Sequence, residues 1–211
     1  MSILHALAPK SVLEIGCGFG KYGALMREYL DVWHGRIQRA DWKTRLEAIE
    51  GFPGYRNPLW DSFDCVHTGD ARAVLATLGH FDAILIADVI EHLEHGDARS
   101  LTAEALDHSD VLIISTPRDF YPQQESSNNA LEIHRCLFTA KDFPSGTHVV
   151  TLAGISCNIF VATREPLPDE CLYCGDANNL LFLRSRYRLK RLGPLGYPLS
   201  LGLRALARWL A

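Results

Sequence analysis

No run of eighteen apolar residues occurs anywhere in the 211-residue sequence, so no segment has the makeup of a membrane-spanning helix. The opening residues "MSILHALAPK" lack the long apolar core and small-residue cleavage site of a secretory signal, and the expected compartment is the cytoplasm. Cysteine is sparse: Cys17, Cys65, Cys136, Cys157, Cys171 and Cys174 are spread over apolar stretches and one loop, which suits reduced thiols rather than a disulfide framework. Only Cys171 and Cys174 have metal-ligand spacing, and no second Cys or His pair follows them, so no metal is assigned there. Acid is absent from residues 177–211, which hold seven Lys/Arg, whereas residues 1–176 hold 14 Lys/Arg against 25 Asp/Glu. An acidic body argues against duplex nucleic acid as partner, because phosphate binding draws on a basic face.

What is present is a globular composition, 47% apolar and 22% charged, long enough for one domain with a full core and an appendage. From Ser11 to about Ala140, short β-branched runs alternate with helical patterns, as in a parallel sheet covered on both faces. "SVLEIG", "TRLEAIE", "FDCVHTGD", "FDAILIADV" and "DVLIISTP" read as five strands. "KYGALMREYL" reads as a helix with Tyr22, Leu25, Met26, Tyr29 and Leu30 near one face. Residues 118–140 are polar, aromatic and too long for an ordinary connection, and "THVVTLAGISCNIFVATR" then reads as an antiparallel hairpin. The expected organisation is a catalytic-sized domain over residues 1–165, a Pro- and Asp-rich linker over 166–180, and a basic amphipathic tail over 181–211. In the tail Leu199, Leu203, Leu206 and Leu210 stand at helical spacing, fit for packing on the body, dimerisation or peripheral membrane contact.

The stretch "VLEIGCGFGKYG" admits two cofactors. Gly18, Gly20 and Gly23 fit a dinucleotide turn, and Glu14, Gly16, Gly18 and Gly20 fit the turn of a methyl-donor site. A dinucleotide needs a helix N-terminus aimed at pyrophosphate, whereas S-adenosylmethionine carries a cationic sulfonium and an ammonium, so the acid at Glu14 favours the methyl donor. Glu50, ending the second strand, suits the ribose hydroxyls of either. Asp70, ending the third strand, can accept the adenine amino group, with Ala71 supplying backbone polar atoms, and a dinucleotide enzyme has no need of that acid.

In this order and spacing "VLEIGCGFGKYG", "LEAIEGF", "HTGDA" and "FDAILIADVIEHL" resemble class I S-adenosylmethionine-dependent methyltransferases, most of all a bacterial subgroup with an Asp-x-x-Glu-His-Leu motif at the fourth strand. The resemblance spans about residues 10–165. It implies a Rossmann-like, seven-stranded, mostly parallel α/β sheet of order 3-2-1-4-5-7-6 with one antiparallel strand. By the same resemblance Glu14, Gly16, Gly18 and Gly20 line the methionine part of the donor, Glu50 the ribose, and Asp70 with Ala71 the adenine. Asp88 lies beside the donor's amino group or the acceptor. The chain departs from many family members in lacking N-terminal helices that fold over the acceptor, so the cover is expected from residues 118–140, the tail or another subunit.

A hydroxyl acceptor must lose a proton, and His92 and His134 are the candidate bases. His92 follows the fourth strand at its carboxyl end, where ligands bind in open parallel sheets, but it also suits packing of the next helix. His134 lies in "NALEIHRCLFTAKDF", where a plain hydrogen-bonding role in the loop, with Thr139 as a helix cap, is equally open. Glu91, His92 and His134 are also spaced like the metal ligands of the similar small-RNA 3'-terminal methyltransferases. The expected activity is O-methylation of a small hydroxylated or glycan-like acceptor. A catalytically silent donor-binding scaffold and an NAD-binding dehydrogenase are the rival readings.

Overall fold

The computed structural model describes residues 1–125, 129–154 and 156–165. The expected linker and tail, with Cys171 and Cys174, lie outside the described residues. Seven strands form one sheet: β1 (Ser11–Ile15), β2 (Arg45–Glu50), β3 (Cys65–Thr68), β4 (Phe81–Ala87), β5 (Ser109–Pro117), β6 (His148–Ala153) and β7 (Cys157–Thr163), in the order β3-β2-β1-β4-β5-β7-β6. Both the seven strands and their order agree with the expectation. β7 runs antiparallel to β5 and β6, and the other pairings are parallel.

The central strands are apolar on both faces because helices cover both. Val12, Leu13 and Ile15 of β1 and Ala83, Ile84 and Ile86 of β4 have no exposed surface. Ile15 is in register with Ile49 of β2 and Ile86 of β4, so the carboxyl ends of these strands finish at one level. The chain order reverses between β1 and β4, and the loops that leave them diverge and open a crevice there.

Four helices are described: α1 (Ser2–Leu7), α2 (Lys21–Leu30), α3 (Ala71–Leu75) and α4 (His95–Asp107). α4 buries Ala98, Leu101, Ala105 and Leu106 at helical spacing against the sheet. The inner face of α2 departs from the apolar stripe read in the sequence. Leu25 is exposed and Arg27 is buried. Arg27 is tolerated there because its guanidinium donates to Asp31 at 2.6 Å and to the Thr44 carbonyl at 2.9 Å, and lies 4.0 Å from the Trp42 ring centroid.

The segment after β5 returns to the core through Phe138, whose ring meets Phe143 at 5.4 Å and Phe160 of β7 at 6.2 Å. Thr139 caps a short 3-10 turn as expected. Its hydroxyl accepts from Lys141 N, and Asp142 answers by accepting from Thr139 N at 2.8 Å. Asp142 also meets His95 of α4 at 2.7 Å, which ties the end of this segment to the helix after β4.

Candidate active site

A cavity of about 540 Å³ opens at the carboxyl ends of β1, β2, β3 and β4. Among the residues singled out in the sequence, Glu14, Gly16, Gly18, Glu50, Asp70, Ala71, Asp88 and His92 line it. Gly20 and His134 stand outside the wall: Gly20 caps the start of α2, and His134 packs against His92 with the rings tilted at 57°.

The loop between β1 and α2 is shaped before any ligand arrives. Gly18 has φ +52, a left-handed conformation, and a Cβ there would meet nothing within 4 Å, so the backbone faces open cavity. Its N–H donates to Glu50 Oε2 at 2.7 Å, and its carbonyl accepts from Trp60 Nε1 at 2.8 Å. Gly16, at φ +75, faces the other way, and a Cβ there would lie 2.3 Å from Val89 Cγ2. Gly23, the third glycine of the dinucleotide reading, is explained by packing, since a Cβ there would run into the Phe63 ring at 2.3 Å.

Glu50 ends β2 and accepts from both Gly18 N and Phe52 N, each at 2.7 Å. Two backbone N–H groups therefore fix the carboxylate plane, and the remaining lone pairs face the cavity it lines. Glu14 is 1% exposed, and neither of its carboxylate oxygens has a hydrogen-bond partner in the protein. Burial, reinforced by the Glu50 charge and only partly offset by Lys21, pushes its pKa well above the ordinary carboxylate range. An unpartnered buried acid in a cavity wall is costly unless a ligand brings it a donor.

Asp70 caps α3 through Arg72 N and pairs with the Arg72 guanidinium at 3.0 Å. The Arg72 hydrogen bond holds its pKa below the usual range, so it stays an ionised acceptor. Asp88 follows β4 with φ +55, a strained position for a residue other than glycine. Its N–H donates to the Ser115 carbonyl at 2.9 Å, and its carboxylate accepts from Ser115 Oγ at 3.3 Å.

The two histidines come together, with ring centroids 4.9 Å apart. Burial lowers the His92 pKa, so its imidazole is neutral near pH 7. His92 Nδ1 is buried without a hydrogen-bond partner. His134 Nδ1 lies 3.0 Å from the Tyr121 carbonyl, an acceptor, which assigns the ring proton to Nδ1 and leaves Nε2 its lone pair. Glu91 is buried under them and accepts from Thr116 Oγ1 at 3.2 Å. Burial and the nearby Asp88 charge raise its pKa to about 7, against a backbone hydrogen bond that lowers it. One ligand atom from each of Glu91, His92 and His134 lies within 4.8 Å of the others, a grouping able to hold a divalent cation.

Sequence reasoning passed over Glu132 and Tyr55. Both line the cavity, and the Tyr55 hydroxyl donates to Glu132 Oε1 at 2.7 Å. Asn129 is 3% exposed and caps the turn that carries Glu132. The Asn-x-x-Glu-x-His spacing was visible in the sequence, but the partner, Tyr55, is 77 residues away from Glu132.

No known family profile and no curated protein sequence matches this chain. Solved structures do match it. The N-terminal domain of EvdMO1, crystallised in the presence of SAH and D-fucose, aligns over 78% of this chain and 80% of its own at 17% identity, with a TM-score of 0.51. An O-methyltransferase family protein from Burkholderia thailandensis aligns over 79% of this chain and 55% of its own at 14% identity, with a TM-score of 0.54. The methyltransferase domain of bacterial CtHen1-C aligns over 78% of this chain and 94% of its own at 16% identity, with a TM-score of 0.50. At these identities the likeness is one of fold. The chain has the Rossmann-like, seven-stranded fold of the class I methyltransferases among its structural neighbours.

Proposed function

We propose that this chain is an S-adenosylmethionine-dependent methyltransferase that methylates an oxygen of a small hydroxylated or glycan-like acceptor. Glu14 carries the reading: a buried carboxyl group with both oxygens unpartnered, beside Glu50, in the wall of the cavity. A pyrophosphate set against these two acids would meet like charge, whereas an ammonium or sulfonium group would relieve the burial of Glu14. The residues present fit the methyl donor and disfavour a dinucleotide. The EvdMO1 domain, studied with SAH and D-fucose, supports a sugar-like acceptor.

When bound, S-adenosylmethionine supplies an electrophilic methyl group on a cationic sulfur and leaves as a neutral thioether. The chain binds, orients and deprotonates around that chemistry. Glu50, its plane fixed by Gly18 N and Phe52 N, takes the ribose hydroxyls, and Asp70 with Ala71 faces the adenine edge. Glu14 and Asp88 attract the amino group. Gly16 and Gly18 let the backbone approach the methionine part. His92 stands in the cavity wall as the neutral base for the acceptor hydroxyl, with His134 packed against it and fixed by Tyr121. Holding the acceptor oxygen in line with the leaving sulfur supplies much of the rate.

Titration calorimetry with S-adenosylhomocysteine, S-adenosylmethionine and NAD tests the donor. Both sulfur ligands should bind and NAD should not. Gly18→Val should abolish binding, and Glu50→Ala should weaken it by roughly 1.5–3 kcal/mol through loss of charge-assisted hydrogen bonds. Binding of NAD with none of the sulfur ligands would sink the reading.

The grouping of Glu91, His92 and His134 favours a second reading, in which these three residues would hold a divalent cation that would supply Lewis-acid activation of the acceptor hydroxyl. The two readings separate on chelation. A histidine base predicts activity indifferent to chelator, rising with pH through the imidazole range, and falling about 10²- to 10⁴-fold in His92→Ala. A metal predicts loss with chelator and recovery with added divalent ion.

A further inference from the structure

The cavity extends past the donor-binding residues to a wall made by Tyr55, Asn129, Leu131 and Glu132. Glu132 is fixed there with unusual completeness for a loop residue. Tyr55 OH donates to its Oε1 at 2.7 Å and Asn129 Nδ2 reaches the same oxygen at 3.5 Å. Its backbone carbonyl accepts from Gln123 Nε2 at 2.8 Å, and its N–H donates to the Asn129 carbonyl. Asn129 in turn accepts from Leu131 N at 3.0 Å while buried, so the turn is braced from inside. One oxygen of the carboxylate is thus held, and the other has no protein donor among the described residues.

The charge around this wall has one sign. Glu14, Glu50, Asp70, Asp88 and Glu132 all line the cavity, against Lys21 and Arg72. Arg72 is already paired with Asp70 and Asp97, and Lys21 lies over the Tyr22 ring at 4.4 Å. Neither Lys21 nor Arg72 forms an ion pair with Glu132, and Glu14 still lacks a donor for either oxygen. With Glu14, Glu50, Asp70 and Asp88 given to the methyl donor, Glu132 is the acid left to the acceptor, and an anionic group there would meet like charge, whereas a hydroxyl pair or an ammonium would supply the donor its second oxygen lacks.

We infer that Glu132, held by Tyr55 and Asn129, is the acceptor-binding carboxylate of this cavity, and that the acceptor presents adjacent hydroxyls or an ammonium group to it and carries no anionic group at that end. The exposed face of Phe19, packed on Tyr55 at 4.7 Å between centroids, gives the apolar side of such a ring a surface to lie on. The inference rests on the methyl-donor reading of the same cavity.

The test loads the full chain with S-adenosylhomocysteine and measures binding of D-glucose, D-glucosamine and D-glucuronate by saturation-transfer NMR. These probes share a ring and differ by a hydroxyl, an ammonium or a carboxylate. Glucose and glucosamine should bind saturably, glucosamine the tighter, and glucuronate at least tenfold more weakly. Glu132→Gln should remove the preference for glucosamine over glucuronate, and Tyr55→Phe should reduce it in part, in proteins whose far-UV spectrum and melting point are unchanged. Equal binding of glucuronate, absence of saturable binding by both other probes, or an unaltered preference in Glu132→Gln overturns the inference. Failure of S-adenosylhomocysteine to bind at the outset would instead overturn the donor reading.

Discussion

The Glu14 carboxyl shows how one residue joins cofactor choice to stability. It is buried with both oxygens unpartnered, and its pKa in the folded chain lies above the ordinary glutamate value of 4.5. A group whose folded pKa is raised holds its proton in the native state after the unfolded chain has lost it. Its contribution is therefore full below about pH 4.5 and is lost as pH rises through the folded pKa. Glu14→Gln keeps the shape, removes the titration, and should leave the ligand-free protein less sensitive to rising pH than the wild type. Urea unfolding at pH 5 and pH 8 measures this as a smaller drop in midpoint for the variant. Equal drops would mean that Glu14 is ionised in the folded chain and has a partner that the geometry does not reveal. Bound methyl donor should reduce the wild-type drop as well, because its ammonium favours the ionised form.

Elements differ in how far they could be read before folding. The strands were legible because parallel strands buried on both faces are written as continuous β-branched runs, and β4, "FDAILIA", is the clearest. The turn after β1 was legible because its left-handed and close-approach positions require glycine at Gly16 and Gly18. Glu50 and Asp70 followed from where strands end, Glu14 from the turn motif and Asp88 from the family resemblance, and all four line the cavity. The inner face of α2 was misjudged at Leu25 and Arg27, since a buried guanidinium depends on Asp31, Thr44 and Trp42, which periodicity within one helix does not contain. The segment after β5 was legible at its end, where Thr139 and Asp142 form a local cap, and illegible at Glu132, whose partner Tyr55 follows β2. Local rules capture caps and turns. Side chains held by another element become readable only once the sheet order brings the two together.

At the scale of the whole molecule, the described residues form a closed account of the sheet. β7 ends at Thr163, and it fills the gap between β5 and β6 with registers that run to Ala162 on one side and Thr163 on the other. Each of the seven strands has its neighbours by that point, and among the described residues those lining the cavity lie between Glu14 and Glu132. A chain ended after Glu165 should therefore fold and bind S-adenosylhomocysteine with an affinity within a few fold of the full-length protein, as calorimetry and thermal unfolding would show. The same deletion changes the electrostatics. Residues 1–165 carry 14 Lys/Arg and 22 Asp/Glu, a balance of -8 against -4 for the whole, because residues 166–176 add three acids and residues 177–211 add seven cations and no acid. If the tail serves a membrane surface, full-length protein should float with vesicles containing anionic lipid, in a manner reversed by salt, while the truncated protein stays in solution. Equal recovery of the two proteins with anionic vesicles would remove the membrane role and leave docking or self-association, which sedimentation of the full-length chain at several concentrations would then separate. Loss of S-adenosylhomocysteine binding in a truncated chain that still melts cooperatively would show instead that the residues beyond Glu165 complete the donor site.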